Sequence, residues 1–143
     1  MSGSPSRATS SRRLSRRVSD SPFSYAIYRL VPRVERGERI NVGVVVFSRP
    51  LDFLGLRTAL DRDRAHTLWP DLDLDAVQPH LDALERVAAA TDDAGPIAQL
   101  DTTARFHWLV APSSTIIQPS AVHTGVCGDP PAELEKLFGA LVL

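Results

Sequence analysis

Residues 25–47, with the sequence YAIYRLVPRVERGERINVGVVVF, decide the fold of this chain. They contain two runs rich in valine, isoleucine, tyrosine and phenylalanine, separated by the charged connector PRVERGE. Two such runs on either side of a connector with a proline and a glycine are typical of an antiparallel hairpin. We therefore predict strands at about residues 24–31 and 39–48, and we expect the rest of the chain to cover this hairpin or extend its edge.

The two predicted strands differ in the polar residues that they carry. The first is apolar on both sides except at Arg29, as expected of a central strand. The second contains Gly43, which predicts a bulge or a close approach by another group. Asn41 adds a polar side chain nearby, and the hairpin register decides whether Arg29 points to the same side. The charged residues of the connector, Arg39 included, are most simply a solvated cluster.

Further elements follow the hairpin. Residues 52–58 are expected to form a third strand. Residues 59–69 are expected to form a helix that directs Leu68 and Trp69 inward. Asp73 or Asp75 is expected to cap a second helix, which runs to about Ala90. Pro79 must lie in the first turn of that helix or kink it. Pro96 is expected to open a short helical turn.

The last third of the chain is expected to complete the sheet. Alternation of apolar residues over 105–110 predicts a fourth strand, and residues 115–118 a short fifth one. Residues 119–128 are expected to form an ordered loop. Asp129 and Pro130 suit the start of a final helix with an apolar stripe. The predicted fold is α+β, with a four- or five-stranded, mainly antiparallel sheet packed with about three helices.

Composition divides the 143 residues into a tail and a body. Residues 1–20 are rich in serine and arginine and are expected to be disordered, whereas 21–143 suit a single α+β domain. The tail carries five arginines against one acid, for a net charge of +4, and the body has a net charge of −5. Nucleic-acid binding is therefore expected only through the basic tail, and a third hypothesis is that this tail tethers the protein to a nucleic acid or a membrane. Ser15 and Ser19 each follow a double arginine, a weak signal for phosphorylation.

Several classes of protein are excluded by the sequence. A single cysteine, Cys127, rules out an internal disulfide and favours a reducing compartment, the cytoplasm. The four histidines lack metal-ligand spacing, so we expect no metal, and no motif indicates a cofactor. No apolar run is long enough to span a membrane.

A candidate binding site consists of polar residues that are hard to explain as ordinary surface. Hydroxyls, amides and a histidine near arginines could form an oxyanion or phosphate pocket, while the alternative is a set of hydrogen bonds that anchor a loop. His123 could also act as a base to a nearby hydroxyl. No nucleophile elbow or phosphate-binding glycine loop supports a particular catalytic residue. The candidates are Arg29, Asn41, Arg105, Gln118, Ser120, His123 and Thr124.

The motifs NVGVVVF, RFHWLVAP and IIQPSAVHTG, with YAIYRLVP before them, resemble a bacterial family known as domain of unknown function 3037. The resemblance covers about residues 23–142. It implies no activity, cofactor or catalytic residue, and it implies a kinase similar to the HipA toxin kinase as a partner. The leading hypothesis is a non-catalytic cytoplasmic accessory protein that works through protein contacts. The alternative is an enzyme or ligand-binding domain for an anionic, phosphate-bearing small molecule.

Overall fold

The computed structural model describes residues 20–112 and 115–143. The third, second and first strands along the chain lie side by side in one antiparallel sheet, and the two short last strands both pair with the remaining edge of the first. The predicted hairpin and the central position of the first strand are confirmed. The strands are β1 (Ser21–Leu30), β2 (Ile40–Ser48), β3 (Phe53–Thr58), β4 (Ile117–Pro119) and β5 (His123–Cys127).

The register of the hairpin contains one irregularity, at the glycine that the sequence singled out. Tyr28 lies opposite Gly43 and Arg29 lies opposite Asn41, so Val42 is left without a partner on β1. This is a β-bulge, which bends and twists the strand locally. The backbone at Gly43 is also crowded, since a Cβ atom there would lie 3.1 Å from the carbonyl oxygen of Arg57. Both reasons for a glycine at this position therefore apply.

Four helices in the described residues cover the two faces of the sheet. They are α1 (Arg62–Leu68), α2 (Leu74–Ala89), α3 (Thr102–Leu109) and α4 (Pro130–Leu141). One face packs against α2 and α3, where Tyr28, Leu81 and Phe106 belong to the larger apolar core. The other face is covered by α4, whose Leu134 packs in a smaller core with Val44 and Val46. The predicted α+β class is confirmed.

Aspartates fix the starts of the helices. The side chain of Asp73 accepts a hydrogen bond from the backbone N–H of Asp75, and that of Asp129 accepts one from Ala132, as the sequence predicts. Asp61 and Asp101 cap α1 and α3 in the same way. Such caps satisfy backbone donors that the first turn of a helix leaves unpaired. Each helix therefore begins where its sequence supplies a carboxylate acceptor.

Three local predictions in these helical segments need correction or refinement. Trp69 is buried as predicted, but Leu68 is 40% exposed because it lies at the end of α1, away from the core. Pro79 lies inside α2, beyond its first turn. The expected turn after Pro96 is present as a 3₁₀ helix, Pro96–Gln99.

The strand predicted for residues 105–110 is wrong, because this segment belongs to α3 and its C-terminal end. The cap at Asp101 starts a helix, and Phe106 and Leu109, three residues apart, are its buried residues. Trp108, which the alternating pattern placed with Phe106, is 45% exposed instead. This segment, α3, is a helix in addition to the three that were predicted.

The loop expected at residues 119–128 is also wrong in part. Residues 123–127 form β5, because their main chain pairs with Ser21–Tyr25 of β1. The short strand expected at 115–118 is present as β4, shifted slightly along the chain. Residues 120–122 separate β4 from β5, so the two short strands share one edge of β1.

Candidate functional site

The hairpin register brings three of the candidate residues into one row across the sheet. Asn41 on β2 lies opposite Arg29 on β1, and Arg29 lies opposite Gln118 on β4. Residues directly opposite each other on antiparallel strands share a face of the sheet. The Asn41 amide donates a hydrogen bond to the carbonyl oxygen of Leu141, 2.9 Å away. The row therefore lies on the face covered by α4, beside the end of that helix.

Arg29 is the electrostatic centre of this row. Partial burial, and after it the nearby guanidinium of Arg39, lower the pKa of Arg29. Within the described residues neither arginine forms an ion pair. Two neighbouring cations without an acid create a positive potential that a bound anion would relieve. Sequence reasoning placed Arg39 in a solvated cluster, although its spacing of two from Asn41 on an extended chain could have put both on one face.

Each of the two amides in the row uses one side-chain N–H donor within the described residues. Asn41 uses one side-chain N–H for Leu141, and Gln118 donates to the carbonyl oxygen of Thr115 at 3.1 Å. A side-chain amide carries two N–H donors. The second donor of each amide, on either side of Arg29, could therefore hydrogen-bond an anionic group.

His123 lies on the same face as Arg29 but in a different part of it. It is exposed on β5, opposite Tyr25, and its ring stacks on the tyrosine with 5.2 Å between ring centroids. Tyr25 precedes Arg29 by four residues on β1, which corresponds to about 13 Å along a strand. A small ligand held by Arg29 would therefore not reach His123.

Ser120 is committed to the sheet. Its backbone N–H donates to the carbonyl oxygen of Ile27 at 2.7 Å, and its hydroxyl accepts from the N–H of Ile27 at 2.9 Å. The hydroxyl also donates to the carbonyl oxygen of Ala121 at 2.8 Å. The side chain thus replaces the main-chain acceptor that β1 loses at the break between β4 and β5. These contacts match the loop-anchoring alternative for this residue.

Thr124 and Arg105 lie away from the row. Thr124 is exposed on β5 opposite Ser24, one position along from His123 and hence on the other face of the sheet. Arg105 lies in α3, where its guanidinium donates to the carbonyl oxygen of Leu100 at 2.8 Å. Since α3 packs on the face opposite α4, Arg105 and Arg29 are separated by the sheet.

A pair of grooves beside the hairpin connector was missed by the sequence analysis. They have volumes of about 490 Å³ and about 450 Å³, and Glu38 and Leu68 line both. We call them together the arginine groove, because Arg33 and Arg36 line the first and Arg39 and Arg64 line the second. The signal in the sequence was the arginine-rich connector itself, but nothing local showed that it would lie against α1.

The Tyr28 hydroxyl illustrates a polar group that serves the fold. It donates to the carbonyl oxygen of Leu109 at 2.8 Å beside an apolar groove of about 360 Å³. Burial raises the pKa of Tyr28 well above its usual range. The neutral phenol holds α3 on the sheet, and it is not placed to exchange a proton with a ligand.

Comparison with protein families identifies the chain. The family described as Protein of unknown function (DUF3037) matches residues 25–142. The chain belongs to this family. The resemblance seen in the sequence is thus confirmed. Comparison with curated proteins and with solved structures finds no match.

The DUF3037 match contains both candidate regions. It includes the row centred on Arg29 and every residue that lines the arginine groove. The family description assigns no activity to either.

The remaining predictions for this DUF3037 chain concern metal sites, membrane spans and modification sites. In the described residues, no group of three or more histidine, cysteine, aspartate or glutamate side chains could hold a metal ion. No helix among them is long and apolar enough to cross a bilayer. Ser15, Ser19 and the predicted tail, apart from Asp20, lie outside the described residues.

Proposed function

We propose that this protein is a non-catalytic accessory protein of the bacterial cytoplasm that binds a partner protein. The partner to test first is a kinase similar to the HipA toxin kinase, which the family resemblance implies. The candidate polar residues divide between the two faces of the sheet, and Ser120 is used by the fold. This division favours a binding role over a catalytic one.

The observation that carries the proposal is the outer edge of β5. In the described part of the chain, β5 pairs with β1 and with no strand on its other side. Val126 within this strand is 67% exposed and Val122 just before it is 43% exposed. An unpaired strand edge with exposed apolar side chains offers main-chain hydrogen bonds and contact area to a partner strand.

Co-purification tests the proposal. The tagged protein is co-expressed with a HipA-like kinase from the same genome, and the complex is measured by size-exclusion chromatography at micromolar concentrations. We expect a complex that Val122→Lys weakens, because a charge at the edge opposes strand addition. Leu100→Lys is the matched control, since Leu100 is 42% exposed and lies outside the sheet. Absence of a complex with the unmodified protein contradicts the proposal.

The positive row on the α4 face favours a second candidate function, which is the binding of a phosphate-bearing small molecule. Arg29 and Arg39 supply charge without an acid partner in the described residues, and Asn41 and Gln118 supply flanking N–H donors. Arginine beside amide donors suits the tetrahedral oxygens of a phosphate group. An enzyme would need a further reactive group within reach, and His123 is too distant along β1 to provide it.

Thermal shift and calorimetry with inorganic phosphate and with AMP test this second function. Binding should stabilise the protein in proportion to ligand concentration. Arg29→Gln should abolish the effect, whereas Arg49→Gln should preserve it, since Arg49 is exposed in the turn after β2. Equal responses of Arg29→Gln and Arg49→Gln would contradict a site at Arg29, because the stabilisation would then come from general charge screening.

A further inference from the structure

The arginine groove is a concave surface with an excess of positive charge. Its lining contains four arginines but only two acids, Glu38 and Asp71. Arg36 pairs with Glu38 at 3.0 Å, which leaves Arg33, Arg39 and Arg64 without an ion pair in the described part of the chain. The rest of the body is acidic, so this excess of positive charge is local. A ligand recognised here carries negative charge.

Apolar residues also line the groove, and one of them, Trp69, carries a buried donor. Trp69 is 6% exposed, and within the described residues its indole N–H makes no hydrogen bond of good geometry. Beside it, Leu68 is 40% exposed on the rim that both grooves share. A buried donor without an acceptor is unfavourable, and exposed leucine next to tryptophan offers contact to an apolar side chain.

Glu38 connects the rim to Trp69. The hydrogen bond from Arg36 contributes most to lowering the pKa of the Glu38 carboxyl, and the nearby Trp69 indole and Arg33 lower it further. The indole lies near this carboxylate without satisfying hydrogen-bond geometry. An external carboxylate that took over Arg36 would free Glu38 to turn toward the indole N–H. Ligand binding would then repair the unpaired donor.

We propose that the arginine groove binds an acidic, extended segment of a partner protein, with one apolar side chain placed against Leu68 and Trp69. The inference rests on the proposed accessory function, because the segment belongs to the bound partner. Two open grooves that share Glu38 and Leu68 in their lining suit an extended peptide. A nucleic acid fits less well, because Glu38 and Asp71 interrupt the arginines and repel a regular row of phosphates.

Tryptophan fluorescence provides the test. In a Trp108→Phe background Trp69 is the single tryptophan, since the chain contains two. The probe is a short synthetic peptide of glutamate and aspartate with one central leucine. We expect a saturable change in Trp69 emission, and a roughly three- to tenfold weaker affinity in Arg33→Ala/Arg64→Ala, as for two rim charges. Replacing the central leucine by serine should also weaken binding, because the contact with Leu68 and Trp69 is lost.

The matched control is Arg49→Ala/Arg86→Ala, which removes the same charge from exposed positions outside the groove. It should bind the peptide as the parent does. No saturable change in the parent, equal weakening by both double variants, or tighter binding of single-stranded DNA than of the peptide would overturn the inference. If the kinase binds and Arg33→Ala/Arg64→Ala leaves that complex unchanged, the groove inference fails and the accessory function stands. If the peptide binds but no kinase complex forms, the groove binds acidic segments and the proposed kinase partner is wrong.

Discussion

Replacement of Ser120 by alanine tests how the break between β4 and β5 is tolerated. The hydroxyl accepts a hydrogen bond from the N–H of Ile27 at 2.9 Å, and both residues are buried. Alanine removes this acceptor while the backbone bond from Ser120 to the Ile27 carbonyl, 2.7 Å long, holds the chain in place. Water has little access to the site, so the N–H of Ile27 is left unsatisfied.

An unsatisfied buried N–H costs about 1–3 kcal/mol. For a chain of this size, that loss lowers the melting temperature by roughly 3–10 °C. Urea unfolding followed by circular dichroism measures the free energy, and hydrogen exchange measures the protection of the Ile27 amide. We expect Ser120→Ala to lose stability by this amount and the Ile27 amide to exchange faster.

Ser24→Ala is the matched control, because Ser24 lies on β1 and its hydroxyl makes no hydrogen bond within the described residues. Its effect should stay within about 0.5 kcal/mol. If Ser120→Ala unfolds at the same urea concentration as Ser24→Ala, with unchanged exchange at Ile27, the role assigned to the serine hydroxyl is refuted.

Two further predictions concern packing and pH. Gly55→Ala should destabilise the protein by about 1–3 kcal/mol in urea unfolding, because its Cβ atom would lie 2.5 Å from the ring of Phe53 and 2.9 Å from Leu134. The control is Gly139→Ala, which should be neutral or stabilising because a Cβ atom at Gly139 would meet open space. Equal losses of stability in the two variants would contradict the close packing described around Gly55. Burial, and then Glu133, raise the pKa of Cys127, so the native state holds its proton more tightly than the unfolded state. The free energy of unfolding should therefore fall as the pH rises above about 8.5. Cys127→Ala should reduce this fall. If the fall is the same in Cys127→Ala, the pH dependence does not come from the Cys127 thiol.

The central hairpin of the sheet could be predicted from local sequence pattern, whereas the elements formed by the last third of the chain could not. The two runs of β-branched and aromatic residues on either side of the connector fit strands. Residues 105–110 fit two patterns, because six residues can satisfy both an alternating and a three-residue spacing. The cap at Asp101 and the burial of Phe106 and Leu109 decided for a helix. The strand His123–Cys127 depends on pairing with the start of β1, a contact between distant parts of the sequence.

The candidate site could be predicted only as a set of residue types. The bulge at Val42 and the pairing of β4 determine that Arg29 meets Asn41 and Gln118. A single-residue shift in register would have separated them, because neighbours along a strand point to opposite faces. The arginine groove depends on the packing of the connector against α1, which no short segment encodes.

The central claim is that this chain binds a partner protein through the arginine groove and the outer edge of β5. Hydrogen exchange of the protein with and without its kinase partner tests this claim most directly. Backbone amides of residues 33–39 and 67–72 should gain protection in the complex, together with those of β5. Arg33→Ala/Arg64→Ala should reduce the protection at the groove. Protection confined to α3, or none anywhere at saturating kinase, would contradict the account.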